Sequence, residues 1–282
     1  MQLLLVLAAL ASLTSVALAA PPGWSPDSAQ FYSTVAKEIE AARKSHKDPS
    51  RKNCDFSRAK LPAPTKPLPP VPQGQKLLHV TIGRGIQNYT CASSSASDTP
   101  KATGALATLF EATCLAATFP NLLALLPRIA LHMPKPTYPQ SKSSPSTRSQ
   151  PDSNFNLDLD FDFDLDPLTF GPSNMPIAGY HYFDSTGVPV FDLLADGHSA
   201  VAKVADVPAP KDALKGVGRQ MFGAVAWLYL AAVDGSSGKA KSVYRVATAG
   251  GKAPATCDGW KGNDGDGGVL SVEYSAEYWF FG

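Results

Sequence analysis

Five carboxylates sit within or beside short β-type runs: Glu111, Asp184, Asp192, Glu273 and Glu277. Glycoside hydrolysis needs two such groups facing each other across a cleft, one to protonate the leaving oxygen and one to attack or activate water. Glu273 and Glu277 share parity in VEYSAEYW, so a regular strand projects both from one face about 13 Å apart, beyond the usual acid/base separation. Each then needs a partner carboxyl from another element; otherwise the two form a solvated outer face opposite Val272, Tyr274 and Tyr278. His181 and Asp184 in HYFD, with His198 beyond the next turn, offer a base and its orienter or part of a metal set. Parity puts His181 and Asp184 on opposite faces, which favours a structural histidine held by a hydrogen bond. The chain has neither the GxSxG elbow of a serine hydrolase nor the HExxH of a zinc protease.

Two acid-rich stretches invite a cation, and neither fits one. DGWKGNDGDGG supplies Asp258, Asp264 and Asp266, but it lacks the closing Glu of a helix-loop-helix calcium site and reads as a hairpin loop. NLDLDFDFDLD, Asn156 to Asp166, alternates acid and apolar residues; as a strand it lines up like charges about 7 Å apart along one face. Calcium needs oxygens that converge on a point, and a straight ladder does not converge. This run closes the Pro/Ser/Thr-rich segment PKPTYPQSKSSPSTRSQPDSN, so residues 134–170 read as a low-complexity insertion, either without a fold of its own or with the alternating run as an edge strand whose outer face is acidic. Its net charge is −3, which leaves +4 on the remainder against a chain total of +1. No metal and no cofactor is called for.

Trp227, Tyr229, Tyr244, Tyr274, Tyr278 and Trp279 are an aromatic supply suited to stacking on sugar rings. Trp227 and Tyr229 share parity in an apolar strand, which points to a buried face, and Trp260 in the Gly-rich loop is the ring best placed for exposure. Asn88-Tyr89-Thr90 is the only glycosylation sequon; a glycan there requires Asn88 to be exposed, and the alternative is a buried Asn88 that hydrogen-bonds in the core.

These residues need a scaffold, and the punctuation of the chain supplies one. The first nineteen residues are apolar and uncharged and end in Ala-Leu-Ala, the pattern of a secretory signal peptide. Their apolar core is shorter than the roughly 20 residues that span a bilayer. Secretion to an extracellular location follows, and four cysteines, Cys54, Cys91, Cys114 and Cys257, then suit two disulfides. A hairpin about Asp98 argues against a Cys91–Cys114 bond and leaves the other two pairings open. Balanced charge excludes a global preference for nucleic acid or a membrane surface, and no later segment is apolar enough for membrane insertion.

Ser25-Pro26-Asp27 opens a helix with Phe31, Val35 and Ile39 at four-residue spacing, ending near Lys44. PAPTKPLPPVP makes residues 48–74 an extended linker. From residue 75 the chain breaks into strands at 76–82, 86–91, 105–113, 179–183, 189–193, 199–204, 224–233, 242–248 and 270–280. Short strands with frequent turn signals predict a mainly β fold, an antiparallel sandwich or barrel, with an N-terminal helix and the insertion. NLLALLPRIALHM predicts a short helix broken at Pro127 or a covering loop.

The runs GRGIQNYTC, GPSN, GYHYFD, PVFDL, AVAWLYL, VYRVATAGGKAPATC and VEYSAEYWFFG, in this order, resemble the fungal secreted family of unknown function numbered 3455, with the insertion as a departure. The resemblance implies an extracellular β-rich domain and carries no catalytic residues. Some members bear a malate dehydrogenase label, which the residues do not support. In GRGIQN, Asn88 stands where the third glycine of a dinucleotide turn belongs, and no helix follows. The expectation is a non-catalytic extracellular binding or cell-surface module for a polysaccharide or a surface glycoprotein, with an extracellular carbohydrate hydrolase as the alternative.

Overall fold

The computed structural model describes residues 26–45, 47, 54–64, 66–133, 168–170, 173–258 and 268–282. The signal peptide, the alternating acidic run, Trp260, Asp264 and Asp266 lie outside them.

Eight strands close an antiparallel barrel. They are β1 (Leu77–Thr90), β2 (Lys101–Glu111), β5 (Ile177–Phe183), β6 (Pro189–Leu193), β7 (Gly197–Val207), β8 (Trp227–Ala232), β9 (Ser242–Gly250) and β10 (Val269–Phe281). The order around the wall is β1-β10-β9-β8-β7-β6-β5-β2, and the small hairpin of β3 (Leu168–Phe170) and β4 (Ser173–Met175) stands apart. The barrel form of the expected β fold is therefore the one adopted. Among the described residues three α-helices accompany it: α1 (Pro26–Lys44), α2 (Thr113–Thr118) and α3 (Pro120–His132).

The expected break between residues 82 and 86 does not occur, because β1 runs unbroken through Gly83 and Gly85. Both glycines face the interior. A Cβ on Gly83 would lie 2.5 Å from the Tyr278 ring, and one on Gly85 would lie 1.9 Å from the Leu106 carbonyl. They mark close approach of the neighbouring strands β10 and β2 and not a turn, and in the middle of an antiparallel strand they cannot form a phosphate-binding loop.

The wall is apolar on both sides, and helices explain why. Inside, Leu109, Phe191, Val201, Val243, Tyr278 and Phe280 form one core. Outside, Val80, Ile82, Trp227, Tyr244, Trp279 and Phe281 pack with Leu115, Leu122, Leu126 and Ile129 of α2 and α3 and with Phe31 and Val35 of α1. Strands buried on both faces lose the polar alternation of a half-exposed sheet. The helix α3 continues through Pro127, and buried Arg84 of β1 donates to the carbonyls of Leu131 and Met133 at its end, at 3.3 and 3.0 Å.

The Pro-rich stretch lies along this outer face. Leu61, Leu68 and Val71 pack on the outer core, and the Tyr244 hydroxyl donates to the Pro69 carbonyl at 3.1 Å. Disulfides join Cys54 to Cys114 and Cys91 to Cys257, with Cα separations of 5.4 and 6.0 Å. The first ties the N-terminal segment to α2. The second ties the end of β1 to the β9–β10 connection.

Candidate functional site

The two ends of the barrel differ. At the end where β1 begins, His79 Nδ1 lies 2.7 Å from Glu111 Oε2, and its Nε2 lies 2.8 Å from Asp196 Oδ2. Lys239 Nζ adds a bond of 2.7 Å to Asp196 Oδ1. A carboxylate can only accept, so both of these contacts are hydrogen bonds when the imidazole carries a proton on each nitrogen. Burial alone would raise the Glu111 carboxyl; hydrogen bonds from His79 and Thr113 outweigh it and hold the group below its ordinary range. Asp196 is lowered in the same way against its burial, by Lys239 and His79. This cluster plugs one end.

The other end opens into a cavity of about 960 Å³, within the range of ligand pockets. Its apolar wall includes Phe183, Phe191, Val225, Leu228 and Leu230, and its polar groups include Gln87, Tyr89, His181, Arg245 and Tyr278. Residues 208–226 fold across the mouth, held where Gly250 N donates to Leu214 O (2.8 Å) and Gly223 N to Lys215 O (2.8 Å). Met221 and Phe222 on this segment are exposed large hydrophobics. Among the described residues five cations line the cavity, Lys203, Lys211, Lys215, Lys252 and Arg245, against a single carboxylate, Asp206. That is a local +4 on a chain whose net charge is +1.

Most polar groups inside are committed to structure. Tyr89 donates to Gly251 O at 2.6 Å, Gln87 Nε2 to Gly104 O at 2.7 Å, and the hydroxyls of Tyr274 and Tyr278 meet at 2.8 Å. His181 Nδ1 donates to Val190 O at 2.8 Å, and its ring stacks on Phe191 at 4.1 Å. Burial pushes the imidazole down to about 4, and the nearby Arg245 charge pushes the same way. His181 is thus neutral at pH 7, with Nε2 left as an acceptor.

The chain matches the family described as "Protein of unknown function (DUF3455)" over residues 72–282. It belongs to the DUF3455 family. A second family, described as "Protein of unknown function (DUF2990)", matches residues 11–69. No curated protein and no solved structure matches the chain. The DUF3455 match takes in the whole barrel, whereas α1 and most of the Pro-rich stretch fall under the second match.

The candidate residues do not gather. His181 faces the cavity, whereas Asp184 caps the β5–β6 turn, its Oδ1 accepting from Thr186 N, Thr186 Oγ1 and Val188 N. Asp192 lies opposite His198 in the β6–β7 ladder. Glu111 belongs to the plug. The solvated outer face expected for Glu273 and Glu277 is overturned: Glu273 pairs with Arg84, and Glu277 is fully buried. The helices that cover this side of β10 are the reason. Glu277 accepts from Trp279 Nε1 at 2.9 Å, and burial pushes its carboxyl up to about 7. Trp227 and Tyr229 are buried on the outer wall. Asn88 is half-buried, its Oδ1 accepting from Ser271 Oγ at 2.8 Å. Among the described residues no His, Cys, Asp and Glu cluster suits a metal.

Sequence reasoning passed over Arg245. Its signal was available: a lone cation with the parity of Val243 in the apolar run SVYRVATAG. The lysines of the mouth segment carry no periodic signal, because they sit on a loop.

Proposed function

We propose that this chain is a secreted fungal binding module without catalytic activity, which takes part of its ligand into the open end of the barrel. One observation carries the reading: a large cavity with an apolar wall, a few fixed polar groups and, among the described residues, one carboxylate at its rim. Pockets of that composition bind, with the polar groups setting orientation. A polysaccharide or surface glycoprotein would then be held by a chain end or a substituent and not along a flat aromatic strip, since the large outer-wall rings lie under the helices. A glycan on Asn88 belongs to the same extracellular setting.

Hydrolysis has less support. It needs paired carboxyls across a cleft, and none of Glu111, Asp184, Asp192, Glu273 and Glu277 lines the cavity. The test is a binding screen of the secreted protein on glycan and small-molecule arrays beside a Leu228→Trp variant that fills the cavity. Ligands bound by the native chain and lost by the folded variant are expected. Hits retained by the variant, or turnover of a polysaccharide abolished by Asp206→Asn, would overturn the reading.

A further inference from the structure

Arg245 is 8 % exposed and lines the cavity, and no carboxylate among the described residues pairs with it. Its Nε and Nη2 share one acceptor, Ala226 O, at 3.2 and 2.9 Å, and the Tyr278 hydroxyl lies beside it. A guanidinium carries more N–H donors than these two acceptors use. A buried cation without a counter-charge is costly, and a planar carboxylate meets its fork with paired hydrogen bonds.

Three further observations define what such an anion would be attached to. Leu228, the register partner of Arg245 on β8, and Phe183 give the approach an apolar wall. Met221 and Phe222 place exposed apolar surface at the mouth. At the rim, Asp206 is paired with Lys203 at 3.0 Å, so Lys211, Lys215 and Lys252 set a positive field that draws anions in. One buried cation matches one negative charge; a dianion would carry excess charge against an apolar wall.

We propose that the barrel binds a small carboxylate carried on an apolar body, with the carboxylate seated on Arg245 and the body against Leu228, Phe183 and Phe222. The inference rests on the cavity-binding reading above and adds the class of ligand.

Isothermal titration of the mature protein with decanoate, naphthoate, neutral decanol and glucuronate tests it, beside Arg245→Gln, Arg245→Lys and Leu228→Trp variants whose melting curves report folding. Decanoate and naphthoate should bind the native chain at least about tenfold more tightly than decanol. Arg245→Gln should weaken decanoate by roughly tenfold to a hundredfold and leave decanol unchanged. Arg245→Lys, which keeps the charge and loses the fork, should fall between and serves if the Gln variant does not fold. Decanol binding as tightly as decanoate, or decanoate lost in Leu228→Trp but unaffected at Arg245, sinks the ligand assignment and leaves cavity binding standing. Preference for glucuronate overturns the apolar body. Failure of every probe to bind overturns the ligand class, while the array screen separately decides the cavity reading.

Discussion

Arg245 of β9 is the register partner of Tyr278 of β10, and both side chains line the interior. Tyr278 in turn occupies the space that Gly83 leaves open on β1. The cation at the foot of the cavity is thus positioned through a ring whose room depends on a missing side chain one strand further on.

Gly83→Ala should destabilise the barrel. Its Cβ would meet Tyr278 Cε2 at 2.5 Å, and the ring is hemmed in by Phe191 (5.2 Å between centroids) and His181 (5.9 Å). Overpacking of this kind costs about 1–3 kcal/mol. Urea denaturation midpoints of the two proteins measure it, and an unchanged midpoint would show that the ring can move aside.

Glu277 should make stability fall as pH rises. Its carboxyl is pushed from 4.5 to about 7 in the folded chain, so between those values the native state holds a proton that the unfolded chain has released. The stabilisation is complete below the unfolded value, declines from there, and is gone above about 7, a loss of about 3 kcal/mol. Glu277→Gln keeps the acceptor for Trp279 Nε1 without titrating. Denaturation from pH 5 to 8 should therefore show a flatter profile for the variant, and parallel profiles would refute the assignment.

His79→Leu should strip Glu111 and Asp196 of their shared partner. Removing one partner of a buried ion pair costs up to about 3–5 kcal/mol at pH 7, and less here because Thr113 still donates to Glu111 and Lys239 to Asp196. Both carboxyls are lowered in the folded chain, so their contribution is present above the unfolded value near 4 and is lost as pH falls through the folded values. The gap between native and variant stability should therefore narrow at acid pH. A gap independent of pH would mean that packing, and not the ion cluster, sets the cost.

Mass mapping should recover two cystine peptides, Cys54 with Cys114 and Cys91 with Cys257. The links close loops of 60 and 166 residues, and on the chain-entropy account their loss costs up to about 4 and about 5 kcal/mol. Cys91→Ser with Cys257→Ser should lower the melting temperature more than the other pair of substitutions, and the reverse order would contradict that account.

The periodicity of GYHYF and PVFDL and the spacing of Phe31, Val35 and Ile39 were readable directly, because local backbone geometry sets both patterns. Gly83 and Gly85 read as punctuation, although they are packing residues whose neighbours come from other strands. Glu277 read as solvated for the same reason, since a carboxylate in a strand carries no mark of the helix that will cover it.

What the sequence by itself determined is the class of fold, the helix at the start and an even set of thiols, all of which follow from short-range pattern or composition. Only the tertiary structure decided that the sheet closes, that one end is plugged by His79, Glu111 and Asp196, and that the other is open with Arg245 at its foot. Residues 79, 111 and 196, like 228, 245 and 278, come together only through strand pairing and barrel closure. Those contacts join parts of the chain far apart in sequence, and no window of neighbouring residues encodes them.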